Sequence, residues 1–355
     1  MIYYITTANN TQTISSFFNT WGRALSKRVK IIPYEKLSRK NTISQGTYIF
    51  SDLDLLNENQ LCFIKKIIGQ AQKYPESFQI LNEPFVSLNR IQLLNKLNEC
   101  GINSFRCYSL LQKPQNVKFP VFIRKGKGHK GKLSDLINDE FELEEKSAEA
   151  INEGFQEDDI IISEFIDTAD ENKIYRKYSA FIVGNTLIPR HIFFSNKWMV
   201  KGARLTEQFM IEEELEYIKN NPHEKFLHNV FNIAGMRYGR VDYSLKNGCP
   251  VIWEINSNPM IASSSSLKKH KRKLIHELFV TQFITIIDEL DIHLKNIRLP
   301  NPMNSSESGG KNPKQVFPFR RIKYLISSSY KTLKYTILFH FYLIRNKIMK
   351  IRWEK

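Results

Sequence analysis

The chain has 355 residues, which is enough for about two domains and a sizeable buried core. Its 42% hydrophobic and 25% charged residues are typical of a globular protein and exclude a disordered or fibrous one. The formal net charge is +16, but residues 311–355 carry 12 Lys and Arg against one acid, Glu354. The basic character therefore belongs to the C-terminal segment and says little about the remaining chain.

Cysteine usage and the N-terminus exclude several classes of protein. The four cysteines form no C-x-x-C pair and have no nearby histidine, so we expect neither a zinc site nor a disulfide framework. This cysteine usage indicates a reducing, cytoplasmic compartment. Residues 1–5 lack the features of a signal peptide. No stretch of about 18 uncharged apolar residues is present, so a membrane-spanning helix is not expected.

Residues 1–85 predict a small N-terminal α/β domain, because short β-branched and aromatic runs alternate with segments of helical spacing. The predicted strands are Ile2–Thr7, Val29–Tyr34, Thr47–Phe50 and Phe78–Leu81, and the predicted helices are Thr11–Leu25 and Asn59–Lys73. This segment contains no glycine-rich phosphate loop, which indicates a framing or substrate-contacting role.

A lysine- and glycine-rich loop follows the next predicted strand. After a helix that starts near Arg90, residues 117–124 predict a buried strand, and residues 125–132 read Lys-Gly-Lys-Gly-His-Lys-Gly-Lys. Glycines let backbone N–H groups approach phosphate oxygens, and lysines neutralise their charge. Nucleic-acid contact and a merely solvated loop remain equally compatible with this composition.

Two hairpins are predicted further along the chain. Residues 175–183 and 186–194 are joined by Gly184-Asn185, and residues 238–245 and 251–255 are joined by a turn at Asn247-Gly248. A helical segment at 206–234 separates them, and a long amphipathic helix is predicted at 267–294.

The second hairpin carries the sharpest chemical signal. Arg240 and Asp242 share one face of its first strand, and Glu254 and Asn256 share one face of its second. If the turn aligns these faces, two carboxylates and an amide oxygen converge beside a guanidinium, which suits magnesium and nucleotide phosphates. The alternative is a solvated hairpin, but the apolar residues around Glu254 weigh against it because buried polar groups need partners.

A third candidate element is Glu164-Phe165-Ile166, at the end of a strand predicted for residues 160–166. A carboxylate and an adjacent backbone pair could bind the edge of an adenine ring. A glutamate at a strand end is also commonly just solvated.

Taken in order, these motifs resemble the ATP-grasp superfamily over residues 86–295. The glycine loop after a strand that ends in a cation, the E-x-x-I element, the R-x-D strand and the E-x-N-x-x-P strand (Glu254, Asn256, Pro259) recur in D-alanine–D-alanine ligases and in glutamate ligases that modify proteins. The resemblance implies an α/β (α+β) protein with an ATP-grasp fold. Its expected parts are an N-terminal pre-grasp domain at 1–85, the grasp domain at 86–297, a linker at 298–318 and a basic amphipathic helical tail at 319–355.

The resemblance also implies roles for individual residues. The metal ligands would be Asp242, Glu254 and Asn256. The nucleotide would be bound by Arg90, Arg124, Lys125, Gly126, Gly128, Gly131, Glu164, Phe165 and Ile166, with Asp170 or Glu171 at the ribose. Catalytic contacts would come from Arg240, Arg176 and Arg190, and less strongly from His191 and Lys201. Arg124 departs from the family, which usually has a lysine there, and this changes the geometry of the contact.

The implied reaction is activation of a carboxylate as an acyl phosphate by ATP and Mg²⁺, followed by attack of an amine or, less favourably, a thiol or hydroxyl. Two magnesium ions are expected, with Mn²⁺ as a substitute. Two alternatives remain open at this point: an ATP-grasp kinase acting on a small-molecule hydroxyl, and a catalytically silent ATP-binding protein at a membrane.

The C-terminal tail has three possible roles. Its apolar and aromatic residues among Lys and Arg are typical of a helix at an anionic membrane surface, which would place the enzyme in the cytoplasm at the inner face of a membrane. Packing on the protein body or a partner subunit is an equal alternative, and nucleic-acid binding is disfavoured. A homodimer is also consistent with the resemblance, since dimers are frequent among similar proteins.

Overall fold

The computed structural model describes residues 1–40, 42–128, 131–202, 205–262 and 272–290, and residues 298–300 as a strand. The strands are β1 (Ile2–Thr6), β2 (Val29–Pro33), β3 (Thr42–Ser44), β4 (Gly46–Phe50), β5 (Phe78–Leu81), β6 (Cys107–Ser109), β7 (Val121–Lys125), β8 (Ile160–Glu164), β9 (Tyr175–Val183), β10 (Thr186–Ser195), β11 (Tyr238–Lys246), β12 (Cys249–Asn256) and β13 (Arg298–Pro300). The α-helices are α1 (Thr11–Phe18), α2 (Tyr34–Ser38), α3 (Glu58–Ala71), α4 (Arg90–Glu99), α5 (Glu140–Asn152), α6 (Gln208–Asn220), α7 (Glu224–Ala234) and α8 (Lys273–Glu289).

The N-terminal residues form a parallel sheet in the order β2-β1-β4-β5. Its central strands β1 and β4 are buried at every residue because both faces of the sheet are covered, as is usual for parallel sheets. In a parallel sheet all carboxyl ends meet at one edge. Asp52 and Asp54 follow β4 at that edge, and Leu53 between them contacts Ser257 near the end of β12, with its N–H 3.1 Å from the Ser257 hydroxyl.

A second sheet is antiparallel, in the order β10-β9-β11-β12. The turn between β11 and β12 has Asn247 and Gly248 at φ of 51° and 77°, which are the left-handed values that a two-residue hairpin needs. This confirms the hairpin predicted from the sequence. One face of the sheet packs on α4, α6 and α7 through apolar side chains such as Tyr178, Val241 and Phe231.

A smaller antiparallel sheet, in the order β6-β8-β7, carries α5 on its apolar face. Its strand β7 ends at Lys125, where the glycine loop begins. The carboxyl end of β7 lies beside the second sheet, where Arg124 contacts Glu254 of β12, and the loop after it contacts Asp54, which follows β4 of the N-terminal sheet.

Several element predictions change in the structure. The helix predicted at Thr11–Leu25 ends at Phe18. The helical segment predicted for residues 206–234 is two helices, α6 and α7, because Asn221 has φ of 43° and Pro222 cannot continue α6. The strand predicted from residue 117 begins only at Val121, after Pro120. Mixed helices and strands in parallel and antiparallel sheets confirm the α/β (α+β) class.

The predicted linker and tail fall almost entirely outside the described residues. Residues 298–300 form β13, which pairs with β3, whereas residues 301–318 and the tail at 319–355 are not described. Across the part of the chain that the structure describes, no helix is both long enough and apolar enough to cross a membrane.

Candidate active site

The β11–β12 hairpin brings the predicted metal ligands to one face of the sheet. Asp242 lies directly opposite Glu254, and Arg240 lies directly opposite Asn256. Side chains at opposed positions of an antiparallel pair project to the same face, and positions two apart on one strand do so as well. The two carboxylates, the amide and the guanidinium thus share one face, on the side away from α6 and α7.

Asp242 is buried and surrounded by donors. The Arg240 guanidinium binds it in a bidentate manner, at 2.8 Å to Oδ1 and 3.0 Å to Oδ2, and the Lys177 ammonium lies 3.6 Å from Oδ2. The Ser179 hydroxyl donates to Oδ1 at 2.7 Å. This hydroxyl has only one proton, so the His191 Nε2 at 2.9 Å must donate to the Ser179 oxygen. Burial, followed by the nearby Arg190 and Arg240, holds the pKa of His191 well below its usual value, so the ring is neutral.

Glu254 accepts from two arginines that are distant in sequence. Its Oε2 lies 3.0 Å from the Arg90 guanidinium and 2.6 Å from the Arg124 guanidinium. The three side chains are 23%, 12% and 15% exposed, so the cluster is largely shielded from water. Burial alone would raise the pKa of Glu254, but the positive charges of Arg124 and Arg90 outweigh it and hold this pKa well below 4.5. The carboxylate is therefore ionised over the whole physiological range.

Arg90 also organises the glycine loop. Its guanidinium donates to the carbonyl oxygens of Lys125, Gly126 and Gly128, at 2.7, 3.1 and 3.2 Å. Gly128 has φ of 76°, a conformation that favours glycine, and this allows the chain to turn there. The loop and the Glu254 carboxylate are thus held by the same side chain.

Backbone N–H groups of this loop are occupied by acidic residues. Gly126 donates to the Asp159 carbonyl at 2.6 Å and Lys127 donates to the Asp159 carboxylate at 2.8 Å. Gly128 donates to Asp54 of the N-terminal domain at 2.6 Å. The Lys125 ammonium lies 3.3 Å from Asp159. Oxygens of Asp159 and Asp54 thus bind loop N–H groups that the sequence pattern assigns to nucleotide phosphates.

We expect Asp54→Ala to tighten ATP binding by about fivefold, because it removes an anion that competes with phosphate for the Gly128 N–H. Asp54→Asn serves as the matched control, since its amide oxygen still accepts from Gly128 while the charge is lost. Titration calorimetry with ATP gives both affinities. Weaker binding by Asp54→Ala would mean that Asp54 supports the loop and does not compete with the ligand.

Residues of the predicted adenine-binding element make contacts within the small sheet. The Glu164 carboxylate accepts from the Arg106 N–H at 2.9 Å and from the Tyr108 hydroxyl at 3.0 Å. The Phe165 N–H donates to the Pro120 carbonyl, and the Ile166 side chain packs with the core beneath β12. Glu171 lies in an exposed turn. The structure therefore gives Glu164 two internal partners that the sequence pattern did not indicate.

Arg176 is not brought to the site. On β9 it shares a face with Tyr178, and it pairs with Asp170 at 2.6 Å and Glu213 at 2.8 Å on the face covered by α6. Alternation along the strand instead places the next residue, Lys177, beside Asp242. The sequence motifs did not indicate Lys177 or Ser179 as site residues, although residues two positions apart on a strand share one face.

Two other candidates are peripheral to the carboxylates. Arg190 is buried at the β9–β10 irregularity, where the register shifts between Pro189 and His191. Gly131 lies next to Lys201, whose ammonium would be 2.7 Å from a Cβ atom at that glycine. His129 and Lys130 of the loop lie outside the described residues.

A buried network joins the end of β12 to the N-terminal sheet. The Asn258 side chain accepts from the Tyr4 hydroxyl at 2.8 Å and donates to Asp52 at 2.9 Å and Thr6 at 3.1 Å. The Asn258 backbone N–H donates to the Asn256 side-chain oxygen at 2.8 Å. Residues from both ends of the described chain thus fix the position of a proposed metal ligand.

Asn258→Ala is expected to lower the free energy of unfolding by about 2 kcal/mol, because the Asp52 and Tyr4 groups would lose a buried partner. Chemical denaturation of both proteins measures the difference. Asn172→Ala, in an exposed turn, is the control and should change stability by less than about 0.5 kcal/mol. Equal stability of the two variants would show that the network contributes nothing net.

The donor atoms at Asp242, Glu254 and Asn256 fit a magnesium ion. All three supply hard oxygen donors from one sheet face, which matches the preference of Mg²⁺. Both arginine contacts of Glu254 within the described residues use its Oε2. Within the ranges that the structure covers, no three His, Cys, Asp or Glu side chains form a metal cluster by themselves. The proposed set accordingly consists of two carboxylates and one amide.

Searches of solved structures find similar chains. D-alanine–D-alanine ligase from Bacillus anthracis, complexed with ATP, shares 14% identity over 81% of this chain and 98% of its own, with a TM-score of 0.44. An L-amino acid ligase from Bacillus licheniformis shares 13% identity over 84% of this chain and 78% of its own, with a TM-score of 0.42. A RimK domain ATP-grasp protein from Sphaerobacter thermophilus shares 11% identity over 82% of this chain and 99% of its own, with a TM-score of 0.47.

No protein-family model matches the chain, and no curated protein sequence matches it. Identities of this size do not extend to a substrate, so a function has to be proposed from the site.

Proposed function

We propose that the chain is an ATP- and magnesium-dependent ligase that activates a carboxylate as an acyl phosphate and joins it to an amine. The observation that supports this most directly is the pairing of Asp242 with Glu254 on one sheet face, with Asn256 and Arg240 beside them. The glycine loop at the end of β7 lies next to this set, because Arg90 contacts both the loop and Glu254.

The metal would be held by Asp242, Glu254 and Asn256. When bound, it would neutralise charge on the ATP phosphates and on the phosphoryl group in transfer. Arg240 and Lys177 lie on either side of Asp242 and can stabilise the same charge without a change in position. Arg90 and Arg124 would keep part of their contact with Glu254 and offer their remaining N–H groups to the nucleotide.

The proposed reaction has two steps. A carboxylate oxygen of the substrate attacks the γ-phosphorus of ATP, the bond to the β-phosphate oxygen breaks, and ADP leaves. The amine nitrogen then attacks the acyl carbon, inorganic phosphate departs with the former carboxylate oxygen, and the nitrogen loses a proton. No side-chain nucleophile is needed. His191 is neutral and Cys107 is buried, with burial raising the pKa of its thiol to about 11.

Isotope transfer tests this function. The purified protein is incubated with ATP, Mg²⁺ and pools of ¹⁸O-labelled carboxylates, with and without amines, and ADP, AMP and phosphate are separated. Acyl-phosphate chemistry places one ¹⁸O atom from the carboxylate in the released phosphate, and it does so only when an amine is present or the intermediate hydrolyses.

Other products would reject the proposal. ADP formed together with a stable phosphorylated alcohol would identify a kinase. AMP would indicate adenylate chemistry. Phosphate free of ¹⁸O in every active pool would show that no carboxylate is activated.

A further inference from the structure

A buried arginine that pairs with none of the described carboxylates lies on the same side of the second sheet as Asp242. Arg190 occupies the irregularity between Pro189 and His191, and the next residue, His191, contacts Ser179, which in turn binds Asp242. Only 6% of Arg190 is exposed. Its guanidinium lies 4.4 Å from the centre of the Phe279 ring, and its Nε donates to the Ile261 carbonyl at 2.9 Å.

The remaining contacts of Arg190 do not neutralise its charge. Its Nη2 lies 3.2 Å from the His276 Nδ1, and its Nη1 is buried with no hydrogen-bond partner among the residues that the structure describes. The nearby carboxylate, Glu214, is already bound by Arg272 through two contacts and also accepts from the Ile192 N–H. Burial, together with the charge of Arg272, lowers the pKa of Arg190 to about 9, so the side chain is still a cation at neutral pH.

The neighbouring sequence offers no further acid. From Pro259 to Leu274 the chain contains no Asp or Glu and several Lys and Arg. A buried charge that lacks a counter-ion destabilises a protein, and an unpaired buried donor adds to that cost. An anion from outside the chain would relieve both costs.

Charges are distributed unevenly across this face. The acids Asp242 and Glu254 lie on β11 and β12, whereas the β9 and β10 side carries Lys177 and Arg190, with Arg272 beyond the edge. Lys177 and Arg272 also lie over the ring of Phe193, at 5.7 and 5.1 Å from its centre. One end of this face therefore carries the proposed metal ligands, and the other end is positively charged.

We infer that Arg190 binds an oxygen anion, a carboxylate or a phosphate, carried by the acyl substrate at a distance from the carboxylate that reacts. This rests on the proposed function, because the reacting carboxylate must lie beside Asp242 and Arg240 where the phosphoryl group is transferred. The substrate class is then a dicarboxylate or a phosphorylated carboxylate, and simple monocarboxylates are poor substrates.

Binding to the full chain without ATP tests the inference apart from any activity. Titration calorimetry at constant ionic strength compares glutarate, inorganic phosphate and butyrate as probes. Glutarate or phosphate should bind at least about tenfold more tightly than butyrate, and Arg190→Gln should remove this preference. Preference for glutarate assigns a carboxylate to the site, and preference for phosphate assigns a phosphate. Arg237→Gln, which changes an exposed arginine just before β11, should bind like the unmodified chain.

Stability separates a ligand-binding role from a structural one. Arg190→Met removes the unpaired charge, so the thermal midpoint of the ligand-free protein should stay the same or rise. A clear fall in the midpoint, or equal binding of glutarate, phosphate and butyrate by the unmodified chain, would overturn the inference. Mg²⁺-dependent ATP binding measured in the same samples shows whether the proposed function fails with it, since Arg190 has no part in that binding.

Discussion

Asp242→Asn is expected to lower ATP turnover by about a thousandfold, because it removes the carboxylate that Arg240, Lys177 and the proposed metal share. The change keeps the shape of the side chain and one acceptor oxygen. A second readout does not need the substrate: the unmodified chain should bind ATP more tightly with Mg²⁺ than with EDTA, and Asp242→Asn should lose most of that difference.

Asp158→Asn makes the same chemical change at an exposed position and is the matched control. It should keep both the turnover and the Mg²⁺ dependence of ATP binding. Near-normal turnover by Asp242→Asn, in a protein that still unfolds cooperatively, would remove Asp242 from the metal site.

Glu254→Gln is expected to reduce the free energy of unfolding at pH 7 by about 3 kcal/mol in the absence of metal and nucleotide. Arg90 and Arg124 would then face each other with no counter-charge in a cluster largely shielded from water. Denaturation in urea measures the loss. Glu99→Gln, which breaks an exposed pair with Lys96, is the control and should cost less than about 0.5 kcal/mol.

The cost of Glu254→Gln should depend on pH in one direction. The folded-state pKa of Glu254 lies well below its ordinary value of 4.5, so below that pH the unfolded chain takes up a proton more readily than the folded one. The contribution of the carboxylate is therefore complete above about pH 4.5 and declines as the pH falls towards the folded-state pKa. The stability difference between the unmodified chain and Glu254→Gln should be smaller at pH 3 than at pH 7. A difference that stays constant would show that the charge of Glu254 does not cause it.

The hairpin that carries the carboxylates could be predicted from the sequence because its information is local. Asn247-Gly248 specifies a two-residue turn, and counting back from that turn puts Asp242 close to Glu254. The register observed opposes these two residues directly, with one irregularity between Asp242 and Tyr243. Strand alternation then accounts for Arg240 and Asn256.

The environment of these residues could not be predicted in the same way. Arg90 and Arg124 contact Glu254 across 164 and 130 positions of sequence, and no short-range pattern encodes that distance. The choice between Arg176 and Lys177 depends on which face of β9 the helices cover, and both residues are cations in the sequence. Glu164 likewise finds its partners on β6, which the local motif does not specify.

The network around Asn258 determines when the parallel sheet can be completed during translation. Tyr4 and Thr6 belong to β1, yet their partner Asn258 lies more than 250 positions later. Contacts of such long sequence separation form slowly and carry a large entropic cost of loop closure. During translation the parallel sheet can assemble early, but its edge at Asp52 stays incomplete until the β11–β12 hairpin has left the ribosome. Chains that end before the β11–β12 hairpin would leave the polar edge at Asp52 exposed. We expect chaperones to bind this edge during that interval.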